Sequence, residues 1–83
     1  MTVRLHPHAQ ARLIERGATE TEVIATVQTG KSIPAKFGRT EFRQTFPCNA
    51  EWKGKRYAGK QVAAIAVQDA GDWMVVTVIV KFF

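Results

Sequence analysis

The chain has 83 residues and a net charge of +5, from 12 Lys and Arg against seven Asp and Glu. This length suits one domain, residues 1–83, and a hydrophobic content of 46% argues against disorder. The single cysteine, Cys48, excludes an internal disulfide framework and is expected to be an inert thiol. No apolar stretch approaches the roughly 18 residues of a membrane span, and the first residues lack a signal-peptide core. We therefore expect a small, soluble, cytoplasmic protein that does not bind membranes.

The excess positive charge lies in the middle third of the sequence. Residues 1–30 carry no net charge and residues 61–83 carry −1, whereas residues 31–60 carry eight basic and two acidic side chains, a net +6. A basic balance raises the odds of an anionic partner. The distribution indicates one basic surface of the size of a site, at a sheet edge and its loop, rather than a general coating.

Two short helices are predicted in the first 30 residues. The first covers residues 7–16, because it opens on a proline, which suits a first helical turn, and is followed by Gly17, which tolerates the left-handed conformation that ends helices. The second follows a capping box, in which Thr19 and Glu22 each accept a hydrogen bond from the other's backbone N–H. We expect this helix to end at Gly30.

After residue 30 the hydrophobic residues alternate, which predicts strands. Residues 39–46 are the first clear strand, residues 60–68 and 73–82 form a central antiparallel hairpin, and residues 31–36 are a weak edge strand because they include a proline. Residues 47–59 are predicted to be irregular. The predicted fold is α+β, with two N-terminal helices packed on one face of a small, mainly antiparallel sheet of three to four strands.

Alternation within the last strand places Val76, Val78 and Val80 on one face and Val75 and Thr77 on the other. Thr77 is a hydroxyl in an otherwise apolar strand. One interpretation is a β-branched filler bonded to a neighbouring carbonyl. The other places Thr77 on the face opposite the helices, on the floor of a shallow cleft.

The first helix carries a polar stripe, His8, Arg12 and Arg16, which extends roughly 12 Å along one side. Such a row can contact successive phosphates, and the imidazole can transfer protons near neutral pH. The alternative is a solvated helix face on which Glu15 offsets the arginines. His6 and His8 would need further ligands to hold a metal, so we predict no metal site and no cofactor.

Residues 52–60 combine two aromatic side chains with four cations. Aromatic faces stack on unpaired bases while cations hold the phosphates, as in the binding of single-stranded RNA. The alternative is an exposed hairpin whose lysine-rich tip prevents aggregation through a strand edge. The side chains are Trp52, Lys53, Lys55, Arg56, Tyr57 and Lys60.

Four motifs occur in a fixed order along the chain: His8-Ala-Gln-Ala-Arg12-Leu-Ile-Glu-Arg16-Gly17, Trp52-Lys-Gly-Lys-Arg56-Tyr57, Lys60-Gln61-Val62 and Val76-Thr77-Val78. In this order and spacing the chain resembles the bacterial domain-of-unknown-function family 4258, which is related to RelE-like toxins. The resemblance implies a compact sheet with N-terminal helices on one side and an ancestry in RNA cleavage or RNA binding, in a group that includes metal-independent ribonucleases. It makes RNA the expected partner and an acidic antitoxin a second one.

RNA cleavage without a metal needs a base for the ribose 2′-OH, cations for the phosphoryl oxygens and an acid for the leaving 5′-oxygen. His8 is a better base than Tyr57, because a tyrosine acts as a base at neutral pH only when its pKa is strongly lowered. The predicted catalytic residues are His8, Arg12, Tyr57 and Lys60, and the predicted RNA-binding residues are Arg16, Arg43, Lys53, Lys55, Arg56 and Thr77.

Two other classes of function remain open at this point. The same basic surface can belong to a non-catalytic module that binds RNA or a protein partner. A third alternative is a dimeric scaffold, a homodimer assembled through exposed strand edges and Trp52.

Overall fold

A five-stranded sheet carries both helices on one face. The computed structural model describes residues 2–83, except for the side chains of residues 48–50. In chain order the elements are β1 (Val3–Leu5), α1 (Pro7–Arg16), α2 (Glu20–Thr29), β2 (Lys31–Pro34), a 3₁₀ turn (Lys36–Gly38), β3 (Thr40–Trp52), β4 (Lys55–Asp69) and β5 (Asp72–Phe82). The strand order across the sheet is β1-β5-β4-β3-β2. The side chain of Cys48, predicted to be inert, lies outside the described residues.

The α+β prediction is confirmed, whereas the predicted sheet of three to four strands is too small. The sheet is also mixed, because β1 pairs with β5 in parallel while the other three pairs of strands are antiparallel. β1 is not predicted from the sequence, because three residues are too few for an alternating pattern to be recognised. The predicted central hairpin of β4 and β5 and the edge strand β2 are both present.

Both helices occupy the predicted positions. Gly17 has a φ of 76° and ends α1, and the Thr19 hydroxyl accepts the Glu22 N–H while the Glu22 carboxylate accepts the Thr19 N–H. Each helix has ten residues, and within the described residues no helix has the length and apolarity of a membrane span. The buried core residues beneath and on the helices are Ala9, Leu13, Val23, Val27, Phe42, Val62, Ala64, Ala66, Val75 and Val78.

A β-bulge in β5 decides which of its residues face the helices. Thr77 pairs with Ile65 of β4, whereas Val75 pairs with the next β4 residue, so Val76 is the extra residue of the bulge. Val75 and Val78 are therefore both fully buried in the core. The strict alternation predicted for this strand is wrong across residue 76, because a bulge shifts the period by one.

The segment 47–59, predicted to be irregular, is instead the outer part of a long hairpin. β3 and β4 continue to a two-residue turn, in which Lys53 and Gly54 have φ values of 51° and 81°. Pro47 is tolerated in β3 because β2 pairs only with residues 40–43 and because a register shift follows the proline. The hairpin therefore extends well past the residues of β3 that pair with β2.

Candidate nucleic-acid interface

Four polar side chains from three parts of the chain meet in one cavity beside β5. The cavity measures about 360 Å³ and is lined by His6, His8, Arg39, Val76 and Thr77; we call it the histidine cavity. Its volume falls in the range of ligand-binding clefts. It brings together two residues that the sequence assigns to the site, His8 and Thr77, and two that the sequence does not assign, His6 and Arg39.

The end of β1 and the start of α1 position the two histidines. The His6 N–H donates to the carbonyl of Val75 at 2.9 Å, which fixes His6 beside the bulge. His6 is also the N-cap of α1, and its Nδ1 accepts the backbone N–H of His8 at 3.1 Å. A ring nitrogen that accepts this bond carries no proton, so neutral His6 holds its proton on Nε2. The Nε2–H group is then available to a ligand as a donor.

Arg39 belongs to the histidine cavity and also to a longer groove on the helix-free face. The 3₁₀ turn before it is closed by two backbone hydrogen bonds, from the Ala35 N–H to the Arg39 carbonyl at 2.9 Å and from the Arg39 N–H to the Lys36 carbonyl at 3.3 Å. The adjoining cavity, of about 390 Å³, is lined by Arg39 together with Glu41 and Arg43. Arg39 thus connects the two cavities.

A third cavity, of about 300 Å³, extends the groove along the sheet and shares Glu41 and Arg43 with the second. We call these two cavities the basic groove. From Arg39 to Arg43 the groove follows four residues of β3, a length of roughly 13 Å. The residues of the third cavity alternate with the core residues of their strands and therefore lie on the face opposite the helices. They are Glu41, Arg43, Gln61, Ala63, Ile79 and Lys81.

Most of the cations that line the basic groove pair with no carboxylate that the structure describes, as is also true of the exposed cations in residues 52–57. In the groove, Arg43 pairs with Glu41. No carboxylate that the structure describes pairs with Arg39 or Lys81. The positive charge of the groove is therefore available to an anion. The engaged cations elsewhere are Arg4, bound to Asp69 and Asp72, Arg12, bound to Glu15, Arg16, bound to the Val78 carbonyl, and Lys60, bound to Glu22.

The predicted stripe on α1 is not one row of unpaired side chains beside the histidine cavity. Of its three residues, only His8 lines the histidine cavity. Arg12 pairs with Glu15 at 2.8 Å, in agreement with the alternative of a solvated helix face. Arg16 donates to the carbonyl of Val78 at 3.2 Å, on a stretch of β5 that β1 does not cover. Arg16 therefore satisfies a backbone carbonyl at the edge of β5, and neither arginine lines the histidine cavity.

Lys60 does not line the histidine cavity with His8, and its ammonium group is bound elsewhere, so the structure does not bring these two predicted catalytic residues together. Only 8% of Lys60 is exposed, and its Nζ donates to the Gly17 carbonyl at 2.9 Å and to Glu22 Oε1 at 2.7 Å. Gly17 follows the last residue of α1, about 13 Å along the helix axis from His8. Lys60 also alternates with Gln61 of the basic groove, which places it on the helix-covered face.

The ion pair between Lys60 and Glu22 makes stability depend on pH. Burial raises the pKa of Glu22, but hydrogen bonds from Lys60 and from the Thr19 N–H outweigh burial and hold this pKa below its ordinary value of 4.5. A lowered folded-state pKa contributes stability above the unfolded-state value, and the contribution is lost as the pH falls through the folded-state value. As the pH is lowered below 4.5, we expect the urea concentration at the midpoint of unfolding to decrease, and to decrease less in Glu22→Gln. Equal losses in both proteins would assign the effect to other carboxylates.

Tyr57 also lies away from the histidine cavity, so the structure does not bring it together with His8. Its ring packs on Phe82, with centroids 5.1 Å apart, and Phe82 stacks on Trp52 at 5.5 Å. From Tyr57 to Ile65, the β4 partner of Thr77, the strand extends roughly 25 Å. Tyr57 and Trp52 therefore serve to pack the long hairpin against β5.

The outer end of that hairpin, residues 52–57, is a second basic surface, which we call the hairpin tip. Lys53, Lys55 and Arg56 are exposed there, and no described carboxylate pairs with them. The Lys53 Nζ lies 5.8 Å from the centroid of Trp52. The tip offers charge without an imidazole, because both histidines of the chain line the histidine cavity.

Two local signals could have assigned the missed residues to the site. Arg39 is four residues before Arg43 in an alternating segment, and residues at even spacing in a strand share a face. His6 precedes the proline that opens α1, which is the N-cap position. Neither signal reveals that the two residues line one cavity, because the position of His6 depends on the pairing of β1 with β5.

Comparison with known proteins identifies no relative of this chain. The chain matches no protein-family model, no curated protein and no solved structure. The resemblance to domain-of-unknown-function family 4258 stays a prediction.

Proposed function

We propose that the protein acts on RNA, as a RelE-like toxin-type endoribonuclease whose chemistry needs no metal. The observation that carries this proposal is that both histidines line one cavity with Arg39 and Thr77, and that Arg39 continues into the basic groove. The proposed cleavage of a phosphodiester uses both features, since cations hold its phosphates while an imidazole moves the proton.

His8 is the general base in this proposal. Its neutral imidazole takes the proton of a ribose 2′-OH, and the 2′-oxygen attacks the adjacent phosphorus. The bond from phosphorus to the 5′-oxygen breaks, which leaves a 2′,3′-cyclic phosphate, and the departing 5′-oxygen takes a proton from water. The Nε2–H of His6 and the guanidinium of Arg39 donate to the phosphoryl oxygens, on which negative charge accumulates.

The basic groove holds the phosphates that flank the reacting one. A groove of roughly 13 Å is long enough to contact more than one phosphate of a strand. Arg43 and Lys81 lie along this path, and the guanidinium geometry of Arg43 matches a phosphate. An acidic antitoxin would bind the same cations and block access to them.

A non-catalytic module that binds RNA or a protein partner is the second candidate. The hairpin tip favours it, because Lys53, Lys55 and Arg56 can hold phosphates or carboxylates without any imidazole. This candidate predicts that binding depends on the tip and that the histidines are dispensable.

Substitution of Arg39 tests the proposed interface. The ligand is a 2′-O-methyl RNA, which cannot be cleaved because its 2′-oxygen is blocked. We expect Arg39→Gln to weaken its binding about tenfold, because a charge-assisted contact is lost. The slope of log affinity against log salt should fall by about one. Fluorescence anisotropy at several salt concentrations measures both quantities.

Two further variants make this experiment decisive. Arg4→Gln removes a cation that is paired with Asp69 and Asp72, and should leave the affinity unchanged. Lys55→Gln removes a cation from the hairpin tip and should have a smaller effect than Arg39→Gln. A larger effect of Lys55→Gln, or binding that ignores salt, would contradict the groove as the RNA interface.

A further inference from the structure

Phe37 presents an unused aromatic ring at the rim of the basic groove. The residue is 89% exposed. It borders the groove cavity that contains Arg39 and Arg43, and also a neighbouring cavity of about 480 Å³ beside Trp73. Trp73 packs edge-on against Phe42, at a centroid distance of 4.9 Å. Phe37 packs against no other aromatic ring that the structure describes.

The backbone of Phe37 gives no folding reason for a large side chain at this position. Its φ of 61° and ψ of 35° are left-handed, and Gly38 follows with a φ of 71°. A residue with a Cβ is disfavoured in this conformation, whereas glycine adopts it freely. A solvent-exposed ring also adds little to the core. A strained backbone combined with an exposed aromatic ring is typical of a ligand site.

The cations around Phe37 indicate the chemistry of that ligand. Lys36 precedes it, Arg39 follows after Gly38, and both line the same groove cavity as the ring. Among the side chains that the structure describes, no carboxylate pairs with either cation. An aromatic face between cations is the arrangement with which proteins hold unpaired nucleotides, since the base stacks while the phosphates bind the cations.

We propose that Phe37 stacks on an unpaired base of an RNA strand held in the basic groove, and that this contact selects single-stranded RNA over duplex. The inference rests on the proposed function of the groove. In a duplex the bases are already stacked and paired, so the ring has no base to receive, whereas the phosphates stay accessible to Arg39 and Arg43. The groove therefore supplies affinity and Phe37 supplies strand selection.

Binding of one 2′-O-methyl RNA, alone and annealed to its complement, tests this proposal. By fluorescence anisotropy we expect Phe37→Ala to bind the single strand roughly 5- to 150-fold more weakly, the value of one base–aromatic stack, and to bind the duplex as wild type does. Phe37→Trp should keep the affinity for the single strand. Ile14→Ala removes another exposed apolar side chain, on α1 and away from the groove, and should change neither affinity.

The outcomes separate the role of Phe37 from the function of the groove. If Phe37→Ala binds the single strand as tightly as wild type does, the proposed role of Phe37 is wrong, whereas the proposed function of the groove still stands. If wild type binds neither the single strand nor the duplex, both the role of Phe37 and the proposed function of the groove are wrong. Equal losses for single strand and duplex would overturn base stacking.

Two measurements without RNA exclude the remaining explanations. Phe37→Gly should have a Tm no lower than that of wild type, because glycine fits this backbone, and a large drop would assign the ring a structural role. Analytical ultracentrifugation should give the same mass for wild type and Phe37→Ala. A dimer that dissociates in the variant would assign the ring to a contact between copies of the chain and overturn the proposal.

Discussion

Replacing Lys60 with methionine should lower the free energy of unfolding by about 2–3 kcal/mol, because the substitution leaves the partly buried carboxylate of Glu22 without its cation. The Gly17 carbonyl at the end of α1 loses its donor as well. In a domain of this size the Tm should fall by roughly 10–20 °C. Chemical denaturation followed by circular dichroism measures the change. Below its Tm, the variant should bind RNA as tightly as wild type.

The double variant Lys60→Met/Glu22→Gln is the matched control. It should recover more than half of the lost stability, because no unpaired charge remains and glutamine can still accept the Thr19 N–H in the capping box. A single variant as stable as wild type would show that the ion pair does not stabilise the fold. A stable single variant that loses RNA binding would restore Lys60 to the site.

Replacing His8 with alanine should slow RNA cleavage by about 10²–10⁴-fold, the usual contribution of a general base. Stability should be preserved, because His8 is exposed on α1 and alanine is a strong helix former. The measurement is the rate of cleavage of a single-stranded RNA by purified protein free of any inhibitor. Gln10→Ala, at another exposed position of α1, is the control and should cleave at the wild-type rate.

His6 needs a different substitution because it also caps α1. His6→Asn keeps a side-chain acceptor for the His8 N–H, so the helix retains its cap while the imidazole is lost. Cleavage should slow without a change in Tm. If wild type leaves RNA uncut at micromolar concentration, the nuclease proposal is wrong, and RNA binding that persists would support the non-catalytic module.

The helices and the α+β class could be predicted because their signals are local. A proline opens α1 and Gly17 closes it, and the capping box of α2 requires only Thr19 and Glu22. The β4–β5 hairpin is equally local, since two apolar segments flank a short turn. Each of these features depends on residues close together in sequence.

The arrangement of the site could not be predicted because it depends on pairing between distant strands. The bulge at Val76 exists only in the register of β5 against β4, and it decides which way the following residues point. The pairing of β1 with β5 brings His6 to the same cavity as Arg39, 33 positions later in the chain. For Lys60, sequence shows a cation in a basic segment but not the carboxylate on α2 that binds it.

The fold also divides the basic middle third into two surfaces. Arg39 and Arg43 at the start of β3 reach the groove, where Lys81 from the last third joins them. Lys53 and Lys55 lie at the far end of the long hairpin. One run of positive charge in the sequence is therefore two separate surfaces in the protein, of which only the groove adjoins the histidines.

The most direct test of the groove as the RNA interface is to titrate a 2′-O-methyl single-stranded RNA into isotope-labelled protein and follow the backbone amide signals by NMR. We predict that the largest shift changes occur at residues 39–43 and 77–81 and at His8, and that residues 52–57 change little. Changes concentrated at residues 52–57, with the groove unaffected, would contradict this account and assign RNA binding to the hairpin tip.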